Sequence, residues 1–527
     1  MGVQAAEPVL THVHPAALQA GTTGEVSLAG KFDPWPCQIH TSQPGLAFVP
    51  QKEPGTYSVT VAATVPPGPC LLRAFNAEGA SAPVAFMIAA GPQTLETEPN
   101  DDFRSPQILT SGTGTLNGRL DKADDVDSWQ VSLRAGQTLV AWVEAHVLAA
   151  GFDGMLRLVD AHGSTLAFNH DGPASMDPVL VFTAPVEGPY TVQIMGHKYP
   201  AASDIRFAGG KDCVYRLHLS TEPLVRHPWP LAAPLEGMVS VVGWNLPGNR
   251  IAREPDTAFL YPVEPGFPLE KTETSGPCLL ALPSAVSGCI QVSGEEDRYP
   301  FTAAKGETLE LQVSGPSLGS EIDPLVKVRN GEGKELAAND DAEGSLDARL
   351  EWKAPEDGTF FAAVGDLTQR GGPDYYYRLA LSRPVPGVTV LAESHAFKLQ
   401  AGGSAEIKVN VRFSHGFAVP LSLHARFLPE GVSAAAATVP PKGGEVVLNL
   451  KAEAGALPAS RPIQLVLQPA SGLPEYFVVH RLVSTAENNG VPQGFKKLLI
   501  PEIRDFWLTL TPPPPPKDAA PPPPPPP

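Results

Sequence analysis

Self-similarity at a constant offset of 170 residues constrains this chain of 527 residues more than any single motif. Asp127-Ser-Trp129 recurs as Asp297-Arg-Tyr299, and Ala135-Gly-Gln-Thr-Leu139 as Lys305-Gly-Glu-Thr-Leu309. Asp153, Asn169, Asp171 and Asp177 fall on Asp323, Asn339, Asp341 and Asp347. The offset then becomes 162, so that Asp212-Cys-Val-Tyr-Arg-Leu217 aligns with Asp374-Tyr-Tyr-Tyr-Arg-Leu379. The first copy therefore holds eight extra residues, expected in a loop around His197 to Gly210. A smaller repeat precedes each copy: Glu25-Val-Ser-Leu-Ala-Gly30 resembles Met238-Val-Ser-Val-Val-Gly243, and Gly68-Pro-Cys-Leu-Leu72 returns as Gly276-Pro-Cys-Leu-Leu280. The duplicated unit is a pair of domains.

Each copy reads as strands. Trp129, Val131 and Leu133 alternate with polar neighbours, as do Tyr190, Val192 and Ile194, and in the second copy Leu309, Leu311 and Val313. A period of two puts one face on a core and the other toward water. No stretch carries a capped helical stripe. The 59 prolines and 49 glycines punctuate these short segments and read as turns between strands. The fold class expected is all-β, with tandem immunoglobulin-like and jelly-roll-like β-sandwiches in series. The expected domains are 7–92 and 223–284 (small immunoglobulin-like leaders), 93–222 and 285–384 (the duplicated sandwiches), and 385–484 (a last sandwich). Residues 485–527, ending in proline runs, read as an extended tail.

A formal charge of −18 without any block of Lys or Arg argues against nucleic acid as a partner. No apolar run is long enough for a transmembrane segment. Val3-Gln4-Ala5 before Ala6-Glu7-Pro8 resembles the small-residue end of a cleaved signal peptide, which points to a secreted, periplasmic or cell-surface location. The five cysteines have no CxxC spacing, so zinc is not expected; Cys37 and Cys70 fit either a disulfide or two buried thiols. No His-Glu-x-x-His helix occurs, and the adjacent Glu295 and Glu296 would point to opposite faces of a strand, so no catalytic residues and no enzyme are expected.

Glu96-Thr-Glu-Pro-Asn-Asp101, Gly118-Arg-Leu-Asp-Lys-Ala-Asp-Asp-Val-Asp-Ser-Trp129 and Ala135-Gly-Gln-Thr-Leu139 together resemble the bacterial pre-peptidase C-terminal domain, with Asn169-His-Asp171 and Tyr190-Thr-Val192 in support. Residues 288–383 resemble a second, more divergent copy, and the leaders resemble IPT/TIG-type immunoglobulin-like domains. That resemblance implies a non-catalytic sandwich appended to secreted proteins, often proteases. It is similar to the collagen-binding modules of bacterial collagenases, some of which bind calcium where a linker meets the sandwich. The partner expected on this reading is an extracellular protein or polysaccharide.

The acidic residues around that linker suit a hard cation. In an extended segment Glu96, Glu98 and Asn100 project to one face, Asp101 follows, and Asp124-Asp125-Val126-Asp127 brings carboxylates from a second segment. Calcium takes six to eight oxygens, mixing carboxylates and carbonyls. The resemblance carries Glu96, Glu98, Asn100, Asp101, Asp124 and Asp127 over as Ca2+ ligands, with Asp125 able to replace Asp124. A solvated acidic linker with Asx turns is the plainer alternative. The second copy keeps Glu295-Glu296-Asp297 without the Glu-x-Glu-Pro-Asn-Asp leader, so a weak or absent site is expected there. Asn169, Asp171 and Asp177, with Asn339, Asp340, Asp341 and Asp347, read as turn formers before they read as a second cation site. In Tyr375-Tyr-Tyr377 at least one ring is expected to leave the core, most simply to pack on a neighbouring domain.

Overall fold

The structure is a computed structural model, and it describes all residues except 1–5, 202, 204, 233–236, 254–258, 265, 267–269, 274–278, 343, 471, 483–494, 496–497 and 514–527. The signal-like segment before Ala6, Cys278 with most of the second Gly-Pro-Cys-Leu-Leu repeat, and most of the proline-rich tail lie outside the described residues. Strands dominate as the alternation requires. Among the described residues the only helical turns are short 3-10 segments at His146–Leu148 and Pro316–Leu318. No helix among them is long and apolar enough to cross a membrane.

The chain forms two compact units. One combines residues 92–385 with 484–499, and the other combines 1–91, 386–483 and 500–527. In the first unit the repeat of sequence is a repeat of topology. The sheet Gln93–Leu95, Gly114–Arg119, Val214–Ser220, Thr138–Glu144, Val179–Thr183 has its counterpart in Glu270–Thr272, Ser284–Cys289, Tyr376–Ser382, Thr308–Ser314, Ala348–Lys353. Each begins with a short leader strand pairing in parallel with its neighbour. The facing sheet orders Gln107–Ile108, Asp127–Leu133, Gly188–Lys198, Phe152–Val159, Thr165–Asn169 in the first copy, and Glu296–Ala303, Gly358–Asp366, Pro324–Arg329, Glu335–Asn339 in the second. Trp129, Val131, Leu133, Val192 and Ile194 fill the first interior, and Leu309, Leu311 and Val313 the second. These are the inward residues of the alternation.

Polar devices repeat as well. Asp177, buried, accepts the backbone N–H groups of Ala145, His146 and Val147 at 2.9, 2.7 and 3.1 Å. Asp347 does the same for Gly315 and Ser317 at 3.0 and 3.2 Å. Asn169 accepts the Val179 N–H, while Asn339 donates to the Arg349 carbonyl. These are turn-holding bonds, so the structural reading of these residues is the one the geometry supports.

Between the two copies stands a three-stranded sheet, Leu224–Trp229, Gly237–Trp244 and Arg250–Arg253, around Val225, Val239 and Val241. The expected limit of this domain at 284 is too late, because Glu270–Thr272 already pairs with Ser284–Cys289 inside the second sandwich. All three tyrosines at 375–377 are occupied. Tyr377 is buried in the core, Tyr375 packs against it, and Tyr376 packs on Leu231 and His227 of the preceding domain and donates to the Leu318 carbonyl.

In the other unit the first domain opposes a four-stranded and a five-stranded sheet over Leu10, Val26, Val59, Leu72 and Phe86. Cys37 and Cys70 are both buried there and unlinked. The last sandwich corrects the expected limit at 484: Asp505–Thr511, assigned to the tail, lies between Ala396–Gln400 and Ala459–Pro469 as an internal strand. Phe506, Leu508 and Leu510 supply its alternating core face.

Candidate metal centre

Two strands and two turns of the first sandwich gather the acidic residues. After the leader strand Gln93–Leu95, the segment 96–102 runs past the end of Asp127–Leu133, where the Asn100 carbonyl accepts the Ser128 N–H at 3.1 Å. Glu98 accepts the Asn100 N–H at 3.0 Å. Glu98, Asp101 and Asp125 each offer an oxygen, and these oxygens all lie within 4.8 Å of one another. The Lys122 ammonium sits against this group, 3.0 Å from Asp101 and 3.6 Å from Asp125. Its side chain is exposed.

Behind this outer group lies an inner one. Glu96 accepts the Arg119 N–H with both oxygens at 2.9 Å, and Tyr215 donates to Asp127 at 2.7 Å and reaches Glu96 at 3.3 Å. Trp129 Nε1 donates to the Tyr215 oxygen at 3.2 Å and fixes the phenol. Gly118 makes room: a Cβ there would stand 2.2 Å from the Tyr215 oxygen and 2.3 Å from a Glu96 oxygen. Burial pushes Glu96 up to about 7. Burial, then the neighbouring Glu96, pushes Asp127 up to about 10. Burial and the contact with Asp101 raise Asp125 to about 6, whereas Asp101, sharing that contact and facing Lys122, is held low. Carboxylates crowded and dehydrated in this way favour either protons or a multivalent cation.

The structure places the six expected residues in different settings. Glu98 and Asp101 meet with Asp125, Asn100 is tied to Glu98 through its N–H, and Glu96 and Asp127 share the Tyr215 hydroxyl behind them, but Asp124 joins neither group. Its backbone has a positive φ of 66°, and its side chain accepts the Phe207 N–H at 3.2 Å while its own N–H donates to the Phe207 carbonyl at 3.0 Å. The same backbone bond recurs in the second copy, where the Gly294 N–H donates to the Gln369 carbonyl, so this turn is part of the shared plan and leaves Asp125 to turn inward, fully buried. Tyr215 was not foreseen. Its only sequence signal was its place in the repeated Tyr-Arg-Leu element.

The second sandwich repeats the inner group only in part. Tyr377 donates to Asp297 at 2.6 Å, Tyr299 stands in for Trp129 at 2.7 Å from Tyr377, and Glu273 accepts the Cys289 N–H as Glu96 accepts that of Arg119. Glu295 accepts the N–H groups of Gln291 and Val292 in the place of Asp125. The stretch aligned with Asn100 and Asp101 lies outside the described residues.

Residues 295–366, within this second sandwich, match the family model of the bacterial pre-peptidase C-terminal domain. Over 119 residues, 22% of the chain, the sequence is 29% identical to a probable subtilase-type serine protease of Deinococcus radiodurans, and that match spans 16% of the relative's own length. Among solved structures, the fibronectin(III)-like modules of CbhA from Clostridium thermocellum share 8% identity over 42% of this chain and 88% of theirs, with a TM-score of 0.12. Domains 1–6 of the surface layer protein SbsC share 10% identity over 96% of this chain and 55% of theirs, with a TM-score of 0.17. The chain is thus an all-β assembly of tandem β-sandwiches carrying a pre-peptidase C-terminal match in its second copy.

Proposed function

We propose that this chain is a non-catalytic, extracytoplasmic binding or scaffold protein whose first sandwich, a second pre-peptidase C-terminal-like copy, takes calcium through Glu96, Glu98, Asn100, Asp101, Asp125 and Asp127. One observation carries the calcium reading: Oδ1 of Asn100, of Asp125 and of Asp127 are all buried and have no hydrogen-bond partner. Leaving such oxygens unpaired costs roughly 1–3 kcal/mol each, more when charged, and a hard cation satisfies several at once. Six residues can supply the six to eight oxygens calcium takes. Bound there, the ion would fasten segment 96–102 to the turn 121–127.

The accessory role is supported by the family match at 295–366 and by the relative named as a protease, of which this chain covers a small part. On this reading the leaders are IPT/TIG-like, and the partner is an extracellular protein or polysaccharide. Thermal melts of the whole chain with calcium and with chelator test the site. At a Kd near 10⁻⁴ M, 10 mM calcium adds about 2.7 kcal/mol to the first sandwich. Glu98→Ala should abolish the difference. Identical melts of wild type under both conditions would remove calcium from the account.

A further inference from the structure

The second compact unit contains a buried cation that makes no ion pair among the described residues. Arg73, on the strand Gly68–Asn76, is 4% exposed. Its Nη1 donates to the Ser81 carbonyl at 3.0 Å and to His395 Nδ1 at 3.0 Å, and its guanidinium lies 5.7 Å from the Trp507 ring centre. Because arginine only donates, His395 must be neutral, and burial with the adjacent Arg73 lowers its pKa to about 4. Neither the imidazole nor the indole cancels the charge. Asp505 acts on Arg73 from the rim, where it is exposed, but no described carboxylate is ion-paired with it. Among the described residues the Nε–Nη2 edge of Arg73 has no hydrogen-bond acceptor, since both of its bonds leave from Nη1.

That arginine lines a cleft of about 230 Å³ with His40, Ser42, Leu71, Arg504 and Asp505. One water needs roughly 10–15 Å³ of such space, so the cleft has room for several waters or a small carboxylate. His40 Nε2, on the same wall, is buried and has no hydrogen-bond partner among the described residues, its ring lying edge-on to Trp507. Arg504 is exposed at the mouth, whereas Glu502 beside it is engaged with Arg481. With Arg73 and Arg504 against Asp505, the cleft has room for one negative charge. Two parallel donors on one guanidinium edge suit the two oxygens of a carboxylate.

We propose that this cleft is a binding site for a carboxylate group, received by the Nε–Nη2 edge of Arg73 with Arg504 guarding the entrance. The site is independent of the calcium centre, which lies in the other compact unit.

Calorimetric titration of the full chain with acetate, succinate and sulfate, at constant ionic strength set with chloride, tests it. Saturable one-to-one binding of acetate or succinate, tighter than that of sulfate, is expected. Arg73→Lys keeps the charge but loses the paired donors, and should weaken binding at least tenfold. Should Arg73→Lys fail to fold, Arg504→Glu, at an exposed position, serves instead and should weaken binding by about threefold to tenfold. No saturable heat with either carboxylate, equal affinity in the variant, or preference for sulfate would each overturn the proposal.

Discussion

Removing the Asp177 carboxylate isolates the device that both sandwiches use to hold their 3-10 turn. In Asp177→Ala three buried N–H groups lose their acceptor at once. Each orphan costs about 1–3 kcal/mol, relieved in part by water entering the void, so the first sandwich should lose about 3–5 kcal/mol. The pH dependence follows from burial, which raises the Asp177 pKa to about 6 against the pull of the three N–H bonds. A carboxyl with a raised folded pKa binds its proton more tightly folded than unfolded, so its contribution is fully present below the unfolded pKa near 4 and declines as pH rises through 6. About two pKa units correspond to about 3 kcal/mol. The gap between wild type and Asp177→Ala should therefore be widest near pH 4 and narrow by pH 7. Asp177→Asn, which keeps an accepting oxygen but cannot ionise, should cost less than alanine and remove the pH dependence. Hydrogen exchange read by mass spectrometry over residues 92–222 follows this sandwich separately from the others. Asp347→Ala provides a replicate, with the loss confined to the second sandwich. If Asp177→Ala destabilises the first by less than 1 kcal/mol at pH 5, the bonds do not hold the turn as argued.

Within the metal centre, Asp125→Asn should lower calcium affinity at least tenfold by calorimetry while Asp124→Asn leaves it unchanged; the reverse result would put the wrong aspartate at the ion. Gly118→Ala drives a methyl group into Tyr215 and Glu96, and should cost about 1–3 kcal/mol in denaturant melts. Arg216, buried against Glu144, is needed there: burial opposes the Glu144 charge, but His218 and Arg216 outweigh it and hold the carboxyl at about 2. Arg216→Met should cost about 3–5 kcal/mol at neutral pH, and a neutral outcome in urea melts would contradict this. In the second sandwich burial lifts Asp297 to about 7, with Glu273 and Glu295 adding to it, so wild type should lose stability from pH 4 to 7 and Asp297→Asn should flatten that slope.

The architecture was legible because alternation and repetition are local signals. Trp129, Val131 and Leu133 announce their inward face from spacing alone, and the 170-residue offset predicts that two sandwiches share one plan. The choice between Asp124 and Asp125 was not legible. It depends on a hydrogen bond to Phe207, more than 80 residues away, and a one-residue change of parity reverses which carboxylate faces in. Tyr215 escaped for the same reason: its partner Asp127 is 88 positions distant. The strand Asp505–Thr511 was hidden differently. Phe506, Leu508 and Leu510 alternate as a strand should, but the prolines that follow suggested a segment without a core.

The internal position of Asp505–Thr511 imposes an order of events on the last sandwich. Its neighbours Ala396–Gln400 and Ala459–Pro469 are synthesised earlier and have no other way to be joined, since Ala396–Gln400 hydrogen-bonds into that sheet through this strand. Until the ribosome has released Thr511, two strands wait with unpaired backbone and an open apolar face, the state most prone to pair with another chain. A protease cutting between Pro469 and Asp505 would leave the covalent domain nearly whole yet able to shed its closing strand. The integrity of about a hundred residues thus hinges on seven.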